Sequence, residues 1–418
     1  MKRIFSNEAF EVMHIRNFRL FMAYRFLMTS ATLMQSVVVG WLLYNITKSV
    51  LSLGMIGLTE VIPQVGIALF AGHFVDIWDR KRIIFYTTFL LLLGSAILIV
   101  YSLPAFDFHQ LLGVTPIFIT IFLTGFTRGI LMPAHTALLG QLVPRKLLTG
   151  AATWSGTVWQ LGAVTGPALG GLVYGFFGVI PALILVFLFY LACVLLLLFI
   201  KSPGKVVVPE GSTEGIFARM KEGIHYVFNS QALLGAFTLD MFAVLFGGAV
   251  AMLPVFASDV LKVGPEGLGI LRACPAIGAI LMSVVLTFNP PVKHSGTLLF
   301  FSVFGFGLMM IVFALSKNFY LSALVLFLSG VFDDVSVVIR ASILQIFTSD
   351  EMKGRVAAVN SIFIGSSNEL GAFESGVAAR IMGLTPSVVF GGVMTLLVVT
   401  FAAVKSPTLR RLQLKINE

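Results

Sequence analysis

The chain has 418 residues, 58% of them hydrophobic and 11% charged, with a formal net charge of +9. Soluble domains carry about 25% charged residues. The mean hydropathy here is +0.98, which excludes a soluble globular protein and makes lipid the solvent. The basic excess is scattered over short loops and forms no stripe, which excludes a nucleic-acid surface.

The first 17 residues are too polar for a signal peptide, so no cleavage is expected there. Twelve apolar spans follow, near 18–44, 51–74, 83–104, 114–141, 147–176, 178–200, 231–258, 266–289, 296–316, 319–347, 352–382 and 386–404. Each is long enough for a transmembrane helix. With the amino terminus inside, 20 of the 28 Lys and Arg fall in cytoplasmic loops and tails and 4 fall outside. That asymmetry places both termini in the cytoplasm. Cys193 and Cys274 lie far apart in apolar segments and carry no disulfide or metal signal.

One long polar break, Lys201 to Ser230, divides six spans from six. It opens as the flexible sequence SPGKVVVPEGSTEG. It continues IFARMKEGIHYVFNS, with Ile216, Met220 and Ile224 at helical spacing opposite Arg219 and Glu222. This pattern predicts a short helix lying on the membrane surface. The expected organisation is a bundle over 1–200, a cytoplasmic linker over 201–230, and a second bundle with its tail over 231–418.

The second half repeats the first. A shift of 205 sets Gly166, Gly171 and Gly178 on Gly371, Gly376 and Gly383 without a gap, and Arg128 and His135 on Asp333 and Arg340. A shift of 215 takes Arg25 to Asp240 and Gly54 to Gly269. Two helix sets repeated within one membrane chain are a transporter signature.

Three stretches carry a family resemblance. After the second span the sequence reads Gly72-His73-Phe74-Val75-Asp76-Ile77-Trp78-Asp79-Arg80-Lys81-Arg82. Span five holds Gly162-x-x-x-Gly166-Pro167-x-x-Gly170-Gly171. The start reads Arg16-Asn17-Phe18-Arg19-Leu20-Phe21, with Arg25 inside span one. Together with the six-plus-six organisation, these resemble the major facilitator superfamily, in the branch holding macrolide-efflux and enterobactin-exporter proteins. Gly72, Asp76, Arg80 and Lys81 match the pattern G-x-x-x-D-R-x-G-R-[KR]. Ile77 and Asp79 depart from it, at the places of an Arg and a Gly. Span five looks like the antiporter motif of family exporters. The resemblance implies an all-α membrane protein. Its twelve transmembrane helices form two six-helix bundles, related by a pseudo-two-fold axis along the membrane normal. It also implies that Asp76 meets the cytoplasmic start of span eleven in one transport state.

The motifs have physical reasons. Glycines at i, i+4 and i+8 of span five let a neighbouring helix approach closely, and Pro167 removes a backbone donor and bends the helix. Arg80, Lys81 and Arg82 also suit a positive-inside anchor. Charges at membrane depth are costly and usually face a cavity or each other. Arg25, Arg128 and His135 lie in the first half, and Asp240, Asp333, Asp334 and Arg340 in the second. Glu60, Arg272, Glu369 and Glu374 complete the set. Each one alone is explained by a structural ion pair. As a set, some member is expected to carry protons, because a buried carboxylate can load and release one. Asp333 and Asp240 are the first candidates, then Glu60 and Glu369. The charge network around them is Arg25, Arg128, His135, Asp334 and Arg340. Trp154, Trp159, Gln160 and Gln35 are further cavity candidates.

No phosphate-cradling loop and no metal-ligand spacing occur in the sequence, so neither an ATP-driven pump, an enzyme, a cofactor nor a metal is expected. The sequence reads as a monomeric, proton-coupled exporter of an amphipathic small molecule in a bacterial inner membrane. An importer or lipid flippase of the same fold remains an alternative, as does a transporter-like receptor that moves nothing.

Overall fold

In a computed structural model the chain is almost entirely helical. The structure describes residues 10–104, 108–201, 204, 216–349 and 352–414, without the side chains at 69, 72, 73, 76, 109, 216–220, 358, 361, 362, 407 and 408. Each of the twelve expected spans coincides with a long helix. The first six are α1 Arg16–Thr47, α2 Val50–Ile77, α3 Arg80–Tyr101, α4 Thr115–Leu142, α5 Leu148–Phe177 and α6 Val179–Phe199. The remaining six are α7 Gln231–Val260, α8 Gly264–Phe288, α9 Ser295–Leu315, α10 Phe319–Phe347, α11 Lys353–Met382 and α12 Leu384–Lys405.

Among the described residues, ten of the helices are long and apolar enough to cross a membrane. The other two are α5 and α11. Both hold more polar residues: Thr153, Thr157 and Gln160 in the first, and Asn368, Glu369 and Glu374 in the second. Helix α7 is α-helical to Phe246, then tightens to a 3₁₀ turn at Gly248–Met252 and loosens to a π turn at Phe256–Val260. Gly247, Gly248 and Pro254 lie in that stretch, and glycine and proline are the usual causes of such breaks.

The repeat is visible in the backbone. Gly178 joins α5 to α6 and Gly383 joins α11 to α12. Their φ values are +89° and +91°, in the left-handed region that favours glycine. Each donates its N–H to the carbonyl four residues back, on Tyr174 and Ala379. The helix starts also explain the two offsets. The starts of α1 and α7, and of α3 and α9, lie 215 apart, while those of α5 and α11, and of α6 and α12, lie 205 apart. The change falls between the third and fourth helices of each half. Residues 102–114 connect α3 to α4, whereas 316–318 connect α9 to α10. The ten extra residues contain the short helix Phe108–Leu112, which walls an apolar groove against Leu93, Ile97 and Val100 of α3.

The chain packs into two compact units. Unit 1 is Met1–Ile46 with Ile62–Thr213, and unit 2 is Thr47–Val61 with Glu214–Glu418. The boundary inside α2 falls two residues before Pro63. In unit 1, α3 packs on α4 and α6, and α5 packs on α6. In unit 2, α10 packs on α8 and α9, α12 packs on α9, and α7 packs on α11 and α12.

The short helix expected in the polar break is Ile216–Asn229. Val227 is buried in the unit 2 core with Leu344 and Val356. The Tyr226 hydroxyl donates to the Phe347 carbonyl and accepts from the Ser349 amide, both at 3.2 Å. Glu222 pairs with Arg355. One face is therefore fastened to the ends of α10 and α11, while Ile224 and Phe228 stay exposed on the other. Ile216, Met220 and Arg219 lie outside the described side chains.

Candidate functional site

In unit 1 the intramembrane polar residues form one directed chain. Tyr24 and Arg25 are neighbours on α1, His135 is on α4, and Thr88 is on α3. An Arg25 Nη nitrogen lies 2.7 Å from His135 Nδ1. A guanidinium only donates, so Nδ1 accepts and the ring proton sits on Nε2. That N–H donates to the Tyr24 hydroxyl at 3.0 Å. Tyr24 in turn donates to Thr88 Oγ1 at 3.0 Å, and Thr88 donates to the Ile84 carbonyl at 2.7 Å. Every link is fixed by its two ends, a donor-only group and an acceptor-only group. His135 is thus neutral here, since a second ring proton would oppose the Arg25 donor. Tyr24 and Thr88 are fully buried and His135 is 7% exposed.

Arg25 uses one donor in this chain. Its Nε is buried with no hydrogen-bond partner, and no acid among the described residues forms an ion pair with it. Arg128, two turns before His135 on α4, is exposed, as is Met132 between them.

Unit 2 holds the counterpart. Asp240 on α7 forms an ion pair with Arg340 on α10, both under a tenth exposed. Arg340 Nε also donates to the carbonyl and the hydroxyl of Ser336, each at 3.2 Å. These are the repeat positions of Arg25 and His135. The same two helix positions therefore pair in both units, with donor and acceptor exchanged. Asp240, one of the two first proton candidates, thus has a full partner in Arg340.

Asp333 lies one helical turn before Ser336 on α10. It is exposed and has no hydrogen bond or ion pair among the described residues. Asp333, Asp240 and Ser336 line one small pocket with Val303 and Phe306, whose free volume of about 10 Å³ is near what one water needs. Asp334 points elsewhere, as adjacent residues on a helix must. It is buried against α8, where the Ser283 hydroxyl lies 2.9 Å from both its oxygens.

Glu60, Arg272 and Glu369 form a third group in unit 2. Arg272 on α8 interacts electrostatically with Glu369 on α11 and with Glu60 on the first part of α2. Two close backbone approaches hold this part of α2. A Cβ on Gly54 would lie 2.8 Å from Gly376 Cα, and one on Gly57 would lie 2.3 Å from the Glu369 carbonyl oxygen.

The glycine face of α5 packs on α1. A Cβ on Gly162 would meet Thr29 at 2.8 Å, on Gly166 the Ser30 carbonyl oxygen at 2.6 Å, and on Gly170 the Met34 side chain at 3.1 Å. Gly171 and Pro167 are also buried. In unit 2 a Cβ on Gly371 would lie 2.8 Å from the Leu245 carbonyl oxygen. Gly371 and Leu245 stand 205 and 215 residues after Gly166 and Ser30, so the repeat reproduces the contact.

In the loop after α2, Gly72 and the Asp76 side chain lie outside the described positions. Arg80 is 8% exposed. Lys81 is half-buried. Asp79, which departs from the family pattern, caps α3 by accepting from the Lys81 and Arg82 amides at 2.9 and 3.3 Å. Gln35 is buried and donates to Thr124 at 3.4 Å, and Trp159 is exposed.

A sequence model described as "transmembrane secretion effector" matches residues 8–415. The chain belongs to this family of major facilitator transporters. Macrolide efflux protein A of Streptococcus pyogenes is 21% identical over 363 residues, covering 86% of this chain and 87% of the relative. The staphyloferrin A transporter of Staphylococcus aureus is 23% identical over 389 residues, covering 91% and 93%. Among solved structures, a bacterial homologue of the human lysosomal transporter Spinster, inward-facing and unoccupied, superposes with a TM-score of 0.74. It has 14% identity over 95% of this chain and 98% of that one. A POT-family transporter bound to 5-aminolevulinic acid gives 0.72, with 12% identity over 94% and 96%. These structures establish the fold. The family and its relatives are transporters, not enzymes, and this chain is a multi-pass membrane protein.

Reading the sequence missed several partners. Tyr24, Thr88, Ser283 and Ser336 are common residues in membrane helices and carry no motif. Ser336 alone had a signal, its i−4 spacing from Arg340 on a shared helix face.

Proposed function

We propose that this transporter is a proton-coupled exporter of an amphipathic small molecule. Its two six-helix bundles would alternate access across a bacterial inner membrane, with both termini in the cytoplasm and one chain as the working unit. Membership of a secretion family and efflux relatives support the direction. The glycine face of α5, seated on the α1 backbone at Ser30, supports it further. A closely sealed α5–α1 contact hinders substrate from leaking back.

The observation that carries proton coupling is Asp333. It is an exposed carboxylate without an ion-pair partner, sharing a water-sized pocket with the Asp240·Arg340 pair. Such a group can take a proton from water and, through one water, sense the pair beside it. Asp240 is held by Arg340, so it is the second candidate. Glu60 and Glu369 come after it, because they share Arg272.

The experiment is transport of a dye into vesicles under an imposed pH gradient, with wild type and Asp333→Asn. Loss of concentrative transport in the variant is the expected result. If Asp333→Asn still concentrates substrate when driven by pH, the proton site lies elsewhere and Asp240 is next.

A further inference from the structure

We infer that the substrate is an anion, and that a carboxylate or similar group on it binds Arg25 of unit 1. This inference rests on the transport reading above and names the class of substrate.

The starting point is a charge without a counter-charge. Charged side chains in a membrane face a cavity or pair with one another. Asp240 and Arg340 do so in unit 2. At the equivalent place in unit 1, Arg25 meets a neutral imidazole instead. The hydrogen-bond chain through Tyr24 and Thr88 fixes His135 as an acceptor and supplies no negative charge. The pair therefore keeps its full positive charge, with Nε buried and unsatisfied.

Among the described residues, no acid of unit 1 lies at this depth. Helices α1, α4, α5 and α6 contain no Asp or Glu, and in α3 and the unit 1 part of α2 the acids, Asp76 and Asp79, flank the connecting loop.

A carboxylate fits this arrangement. Arg binds carboxylates through paired N–H donors, and His135 occupies only one of the donors of Arg25. Reaching the buried Nε requires the side chains over it to shift. A lipid headgroup offers the same chemistry but fits the depth poorly. Arg25 lies nine residues into α1, about 14 Å along the helix, whereas headgroups sit at the membrane surface. A cationic substrate would meet a like charge at Arg25.

The test uses one fluorophore with three charges: dansylglycine (anionic), dansylamide (neutral) and dansylcadaverine (cationic). Equilibrium binding to the purified full chain is measured alongside transport in vesicles. Wild type is expected to bind and move dansylglycine in preference to the other two. Arg25→Gln is expected to weaken dansylglycine binding roughly ten- to a hundredfold. Arg25→Lys, which keeps the charge and guards against misfolding, should lose less.

Preference for dansylcadaverine, or wild-type dansylglycine binding by both Arg25 variants, overturns the inference and leaves export standing. Displacement of dansylglycine by phosphatidylglycerol overturns the substrate assignment in favour of a lipid site. Arg25-dependent binding without transport supports the site and overturns the export reading. Neither binding nor transport of any probe overturns both.

Discussion

The α5–α1 contact gives the most quantitative expectation. A Cβ at position 166 would sit 2.6 Å from the Ser30 carbonyl oxygen and 3.0 Å from its Cα. Both are backbone atoms, so no side-chain rotation relieves the clash. Reaching an ordinary contact of 3.4 Å requires α1 and α5 to move apart by about 0.8 Å. Overpacking of this kind costs about 1–3 kcal/mol. Gly166→Ala should fall in that range and Gly166→Leu above it. The same helix supplies a control, because a Cβ on Gly156 meets nothing within 4 Å. Gly156→Ala should be neutral or slightly stabilising, since alanine favours the helix.

The assay is thermal unfolding in detergent for the three variants beside wild type, followed by vesicle transport. The expected order of stability is Gly156→Ala, then Gly166→Ala, then Gly166→Leu, with Gly166→Leu inserted but inactive. Wild-type stability and transport in Gly166→Leu would show that the glycine face is not what holds α1 and α5 together.

Asp240→Asn strands Arg340 in a buried site and should cost about 3–5 kcal/mol. Adding Arg340→Met should recover most of that, and equal instability of the single and double variants in thermal unfolding would refute the pair. Nitrogen NMR of labelled His135 should report a neutral ring protonated on Nε2 at neutral pH, and an Nδ1–H or doubly protonated ring would break the assigned chain. A reporter fused after Glu418 that is active only outside the cell should stay silent, and its activity would reverse the proposed orientation.

Much of the helix framework was legible because lipid imposes a strong pattern: long apolar runs, basic loops and glycines at fixed spacing. The two helices that fall short in apolarity, α5 and α11, both carry close glycine contacts and many polar side chains. Offsets of 205 and 215 were visible in the sequence. Their cause, the added helix at Phe108–Leu112, was not, because ten residues of loop carry no repeat signal. Charge positions could be read, but not who holds whom. Arg25 and His135 are 110 residues apart, and spacing along one helix says nothing of a partner on another. The pairing of Asp240 with Arg340 was hidden for that reason, and the acceptor role of His135 follows only from its contacts with Arg25 and Tyr24.

Substrate choice and energy coupling are proposed to rest on different units. Pairing the first and fourth helices of each half leaves opposite remainders. Arg25·His135 keeps a positive charge, whereas Asp240·Arg340 is neutral and leaves Asp333 as the carboxylate without an ion-pair partner. The two roles should therefore separate in one experiment. Asp333→Asn is expected to abolish dansylglycine accumulation under a pH gradient, because no proton is carried. Exchange of dansylglycine across the membrane without a gradient needs no proton release, so it should persist. In that exchange the preference for dansylglycine over dansylcadaverine should also persist, since Arg25 is untouched. The measurement is exchange of each probe, with and without a gradient, in vesicles holding wild type or Asp333→Asn. If Asp333→Asn erases the charge preference along with the drive, the carboxylate takes part in choosing the substrate, and the division of roles between Arg25 and Asp333 is wrong.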